Sequence, residues 1–98
     1  MLDLQYLRTF KKVVETGNFS VAAMKLGYSQ STVTFHIHAV EREFGARLLD
    51  RHKFSRTVAL TELGKQAYAY ASRLLALADE ALETVGKANS GSTIQGPV

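Results

Sequence analysis

Gln30, Ser31, Thr32 and Thr34 stand within five residues of one another. Each has a short side chain that both donates and accepts hydrogen bonds. As a set they suit the recognition of polar edges, such as those of base pairs in a DNA major groove. A run of cations follows closely: Arg42, Arg47, Arg51, Lys53 and Arg56 fall inside fifteen residues. Positive charge at that density draws a polyanion, although an ordinary solvated surface has the same composition. The charge is unevenly spread. Residues 1–60 carry nine basic and five acidic side chains, net +4, and residues 61–98 carry three and four, net −1. The front of the chain is the candidate nucleic-acid surface, and the back must serve another purpose.

Other chemistries are excluded by the same inspection. Cysteine is absent, so disulfide scaffolds and cysteine-ligated metal sites are ruled out. His36 and His38 are two residues apart, so on a helix they point about 200° from each other and cannot chelate one metal. No nucleophile motif, glycine-rich phosphate loop or carboxylate pair forms a catalytic constellation, which argues against an enzyme and against any cofactor in this chain. No apolar stretch reaches the roughly 20 residues of a membrane span, and no signal peptide opens the chain. A cytoplasmic, nucleoid-associated protein with no membrane or metal partner is the expectation. The 98 residues are 46% hydrophobic and 21% charged, which suits one small globular domain.

The elements that must position these residues are helices and one hairpin. The first helix starts near Asp3, a cap, shows helical spacing at Leu4, Leu7, Phe10 or Lys11, and Val14, and ends at Gly17. Ser20 reads as the cap of a second, two-turn helix with Ala22, Ala23 and Leu26, closed by Gly27. Ser29 caps a third helix, in which Val33, Ile37, Val40 and Phe44 share the inward face. That leaves Gln30, Ser31, Thr34, Phe35, His38, Glu41 and Arg42 outside, with Thr32 and His36 at the margins. Two helices joined by a tight glycine turn make a helix-turn-helix, whose second helix can enter a major groove. Leu48 and Leu49, a polar turn from His52 to Arg56, and alternating Val58 and Leu60 predict a two-stranded wing with a basic tip.

A last helix runs from Thr61 to about Val85. Ala67, Ala71, Leu74, Ala78, Leu82 and Val85 are spaced close to a coiled-coil seam, and a second apolar strip of Tyr70, Leu75 (or Leu77) and Ala81 widens it. So long a helix is expected to pair with the same helix of a second chain; the competing reading lays it wholly on its own domain. The Gly- and Ser-rich remainder reads as a flexible tail.

Leu7, Phe10, Gly17-Asn-Phe-Ser20, Ala22-Ala23, Leu26, Ser29-Gln30, Ile37, Val40-Glu41, Gly45, Arg47-Leu48-Leu49, Arg51 and Leu60-Thr61-Glu-x-Gly64 resemble, in order and spacing, the LysR-type transcriptional regulators. The resemblance covers residues 2 to about 86. It implies a mainly α fold, a winged helix-turn-helix of three helices and a two-stranded wing, followed by a long linker helix that pairs antiparallel in a dimer. The implied organisation is a DNA-binding domain over 1–60, a dimerisation helix over 61–86, and a tail over 87–98 that opens a missing effector domain. The chain thus looks like a truncated piece of a longer protein. That domain implies a small-molecule effector. Family members bind double-stranded DNA as homodimers, or as tetramers at full length.

Carried over residue by residue, the resemblance puts Gln30, Ser31, Thr32, Thr34 and Phe35 where the family reads bases. Ser20, His38 and Arg51 fall where it holds phosphates, and Arg56, with Lys53 beside it on the wing, where it enters the minor groove. Three positions depart from the pattern: Ser31 replaces a frequent proline, Phe35 a usually polar or basic residue, and His38 an arginine or lysine. Phe35 is open between a thymine-methyl contact and a place inside the fold. A rival reading makes the chain a helical interaction module whose long helix binds another protein, its basic front being incidental.

Overall fold

The computed structural model describes residues 1–50 and 57–90, with side chains up to Ala88. Helix α1 (Leu4–Thr16) opens on Asp3, whose carboxylate accepts hydrogen bonds from the backbone N–H of Gln5 at 2.8 Å and of Tyr6 at 3.2 Å. It ends at Gly17, which sits in the left-handed region at φ 69°. Leu7, Phe10 and Val13 on its inner face are fully buried, whereas Leu4 is exposed.

Helix α2 (Phe19–Leu26) is capped by Asn18, not by Ser20 as the sequence suggests. Gly17 turns the chain so that Asn18 is extended, and its Oδ1 accepts from the N–H of Val21 at 2.9 Å. Ser20 then falls inside the first turn with its side chain outward. The small Ala22 and Ala23 are buried and let α2 lie close to its neighbours.

Helix α3 (Gln30–Phe44) starts as expected at Ser29, whose Oγ accepts from the N–H of Thr32 at 3.1 Å. Val33, Ile37 and Val40 are buried in the common core. Phe44 departs from the inward face: it is 37% exposed and lines an open groove with Leu48, Leu63 and Tyr70. Glu41 is also not simply an outward residue. Its Oε2 accepts from the backbone N–H of Leu48 at 2.8 Å and of Leu49 at 3.2 Å, which locks the connection from α3 into the wing.

Strands β1 (Leu49–Asp50) and β2 (Ala59–Leu60) pair antiparallel, Leu49 opposite Leu60 and Asp50 opposite Ala59. The N–H of Val58 donates to the Gly17 carbonyl at 3.0 Å and so ties the wing to the α1–α2 turn.

Helix α4 (Glu62–Ser90) is capped by Thr61. The Thr61 hydroxyl accepts from the Gly64 N–H at 2.9 Å and donates to the Arg47 carbonyl at 2.7 Å, and the Thr61 N–H donates to the Leu48 carbonyl at 3.0 Å. At 1.5 Å per residue its 29 residues run about 43 Å. Gly64, Ala67, Ala71 and Leu75 face the domain, and the last described tie is the exposed ion pair of Arg8 and Asp79 at 2.7 Å. The helix overruns the expected end at Val85. Gly86 weakens a helix by about 1 kcal/mol but does not stop one when the helix formers Lys87 and Ala88 follow.

Two of the expected pairing residues are corrected here, and with them Leu75 of the wider strip, which is 3% exposed and belongs to the chain's own core. Ala67 is 4% and Ala71 0% exposed within the single chain, so both are spent on the chain's own core. The reason is steric: small side chains let α4 approach the domain, so they face inward.

Candidate nucleic-acid interface

The reading helix presents a crest. Ser31, Phe35, His38 and Arg42 are spaced by four, three and four residues, and at about 100° per residue they stand opposite Val33, Ile37 and Val40. All four are exposed. Thr34 and Thr32 are half-buried on the two flanks of that crest, and the Thr32 hydroxyl oxygen accepts from Ser29 Oγ at 2.9 Å. Gln30 is exposed in the first turn, where its side-chain amide donates to Ser20 Oγ at 2.5 Å. The structure therefore brings together a residue expected at bases and one expected at phosphates, and lets α2 set the direction of Gln30. Arg51, Lys53 and Arg56, with His52, lie outside the described residues.

Behind the crest is a cluster that sequence reading missed. His36 is only 6% exposed and belongs to the core face, not to its margin. Its ring stacks on Tyr6 at 4.2 Å and 21°, and meets Tyr28 edge-on at 5.1 Å. Nδ1 shares a hydrogen bond of 2.8 Å with Thr9 Oγ1, and the Gln5 amide donates to the Tyr28 hydroxyl at 2.7 Å. The signal was present: His36 is three residues after Val33 and four before Val40, the spacing of the buried face.

Burial pushes His36 below the usual histidine pKa, and the charge of Asp3 opposes that only in part. A histidine held neutral in the fold protonates first in the unfolded chain, so stability falls as pH drops below about 6.5 and levels off below the lower folded value. The unfolding midpoint in urea is expected to be flat above about pH 7.5 and to fall toward pH 5.5. A His36→Gln variant should lose less over the same range; an equal loss would remove His36 as the cause.

Outward on α4 runs an apolar stripe made of Leu63, Tyr70, Leu74, Leu77, Leu82 and Val85, all exposed. Leu63, Tyr70 and Leu77 are seven apart, the coiled-coil repeat. The Arg73 guanidinium sits 5.4 Å from the Tyr70 ring centre. Of the expected pairing residues, Leu74, Leu82 and Val85 are exposed here and Ala78 is half-buried. Tyr68, which the sequence places with Tyr70 in interface packing, meets Phe10 inside the domain, edge-on at 6.4 Å. Among the described residues no group of three His, Asp or Glu side chains is placed to hold a metal, and no helix is long and apolar enough to cross a membrane.

The sequence profile of bacterial regulatory helix-turn-helix proteins of the lysR family matches residues 4–65. The chain belongs to the lysR family. Within it, the chain is 42% identical over 98 residues to the HTH-type transcriptional regulator BudR of Raoultella terrigena, covering 97% of this chain and 33% of BudR. Over 96 residues it is 41% identical to a probable RuBisCO transcriptional regulator of Cyanidioschyzon merolae, covering 95% of this chain and 31% of that protein. The chain thus spans about a third of the length of these relatives. Among solved structures, the BenM DNA-binding domain in its complex with catB site 1 DNA superposes with a TM-score of 0.85 at 36% identity, covering 93% of this chain and 99% of that one. Full-length CbnR, a LysR family transcriptional regulator, gives a TM-score of 0.82 at 32% identity, covering 90% of this chain and 30% of that one. The fold is the winged helix-turn-helix of that family, followed by a long helix.

Proposed function

We propose that this chain is the DNA-reading and self-pairing part of a LysR-type transcription regulator. As a member of that family it is a DNA-binding regulator and not an enzyme. The observation that carries the finer reading is the crest of α3: an exposed face of reading-type side chains, opposite the core, left open by the described residues. In this reading α3 lies in the major groove with Gln30, Ser31, Thr32, Thr34 and Phe35 toward the bases. Ser20, His38 and Arg51 hold phosphates, and Lys53 and Arg56 on the wing reach the flanking minor groove. Leu74, Ala78, Leu82 and Val85 pair α4 with a second copy, so that the dimer reads an inverted repeat; a tetramer and a small-molecule effector belong to the full-length protein. Action on bacterial DNA places the protein in the cytoplasm.

The test is fluorescence anisotropy of a labelled inverted-repeat duplex, with T and A at its outer positions, against a scrambled duplex. Affinity for the repeat is expected to fall on the order of a thousandfold between 50 and 200 mM salt, as counterions compete for the phosphates. Absence of binding at low salt, or binding indifferent to salt, would overturn the reading in favour of a protein partner, since apolar helix pairing has no such slope.

A further inference from the structure

We infer that Phe35 reads the C5-methyl group of a pyrimidine, so that thymine and 5-methylcytosine are both accepted at its position while uracil and unmodified cytosine are disfavoured. The inference rests on the DNA reading above and names what one residue of that surface selects. Phe35 is 56% exposed at the middle of the crest, the most exposed large apolar side chain of α3. It is also not tucked into the fold, which closes the alternative left open by the sequence.

The ring is braced from behind. Tyr6 of α1 meets it edge-on at 6.1 Å and 80°, and Tyr6 itself is stacked on His36, which Thr9 holds. The domain thus spends three core-facing groups on supporting an apolar ring that faces solvent. A phenyl group has no hydrogen-bond donor or acceptor, so it cannot read the amino, carbonyl or N7 positions of base edges. The one apolar feature in the major groove is the methyl on C5 of thymine. Cytosine methylated at C5 carries the same group at the same place. Ser31 one turn before and His38 one turn after flank the ring with polar groups, so a base step facing Phe35 meets apolar surface between two hydrogen-bonding positions.

The experiment begins by selecting duplexes from a library with a randomised centre, using this chain. Each thymine of the selected duplex is then replaced in turn by uracil, which removes only the methyl, and binding is measured by competition anisotropy. At the thymine position that responds, a C·G pair is compared with its 5-methylcytosine counterpart. We expect one position in each half-site to lose roughly fourfold on methyl removal, the effect of burying one methyl-sized group. The 5-methylcytosine pair should recover a similar factor over cytosine. Phe35→Ala should bind the thymine and uracil duplexes equally, and because Phe35 lies outside the core and loses only its edge contact with Tyr6, the variant should still melt cooperatively within a few degrees of the parent. A parent protein indifferent to every uracil, or a Phe35→Ala variant that keeps the preference, overturns the inference and leaves the DNA reading intact. Failure to select any duplex overturns the DNA reading, and the inference with it.

Discussion

Gly64→Ala is expected to destabilise the folded chain by ~3 kcal/mol or more, against the usual preference for alanine in a helix. A Cβ at this position would lie 2.0 Å from the Leu48 carbonyl oxygen, 2.9 Å from its carbon and 3.1 Å from Leu60 Cδ2. The carbonyl has no room to retreat. It accepts from the Thr61 N–H, Leu48 is buried, and the Leu48 N–H is held by Glu41. The first turn of α4 must therefore lift away from the wing and take the docking of Ala67 and Ala71 with it. Gly86 provides a control in the same helix: a Cβ there meets nothing within 4 Å, so Gly86→Ala should stabilise by up to about 1 kcal/mol. Urea midpoints of the two variants should move in opposite directions, and a Gly64→Ala midpoint equal to the parent's would remove the claimed contact.

Phe10→Ala should cost about 3–5 kcal/mol, a large part of the 5–15 kcal/mol typical of a small domain. Phe10 is fully buried and is the largest such side chain. It sits on α1, which packs against α2, α3 and α4, and its ring meets Tyr68 of α4. Truncation opens a cavity between α1 and α4, in a close-packed core that relaxes only in part to fill it. Chemical denaturation at fixed protein concentration checks this, and a loss below about 1 kcal/mol would mean that the core collapses around the gap.

Most of the fold was legible because local signals and the global pattern agreed. Asp3 and Ser29 cap the helices that their positions announced, and Gly17, Gly27 and Gly45 each sit at a helix end with positive φ. Where two signals competed, sequence alone did not decide. Asn18 and Ser20 are both good caps two residues apart, and only the turn at Gly17 selects the first. His36 is polar by type but inner by position, and position prevailed because Tyr6, Tyr28 and Thr9 supply an aromatic wall and a hydrogen bond. The apolar pattern of α4 superposes two faces, one with Gly64, Ala67, Ala71 and Leu75 and one with Leu63, Tyr70, Leu74 and Leu77. Periodicity detects that such a helix is apolar on two sides but not which side its own domain covers. The outward residues of α3 were legible as a surface, whereas the bracing of Phe35 depends on Tyr6, 29 positions earlier in the chain.

The tie between Arg8 and Asp79 is the last described contact of α4 with its domain, and beyond it the helix runs on to Ser90. That stretch is a shaft keyed to the reading head at one end. Its setting is angular as well as linear: one residue inserted after Asp79 would advance everything beyond by about 1.5 Å and turn it by about 100°. A whole number of turns would lengthen the shaft but nearly restore its phase. Insertions of one or two residues should therefore throw the far end of α4 out of alignment with α3, and insertions of seven should bring it back.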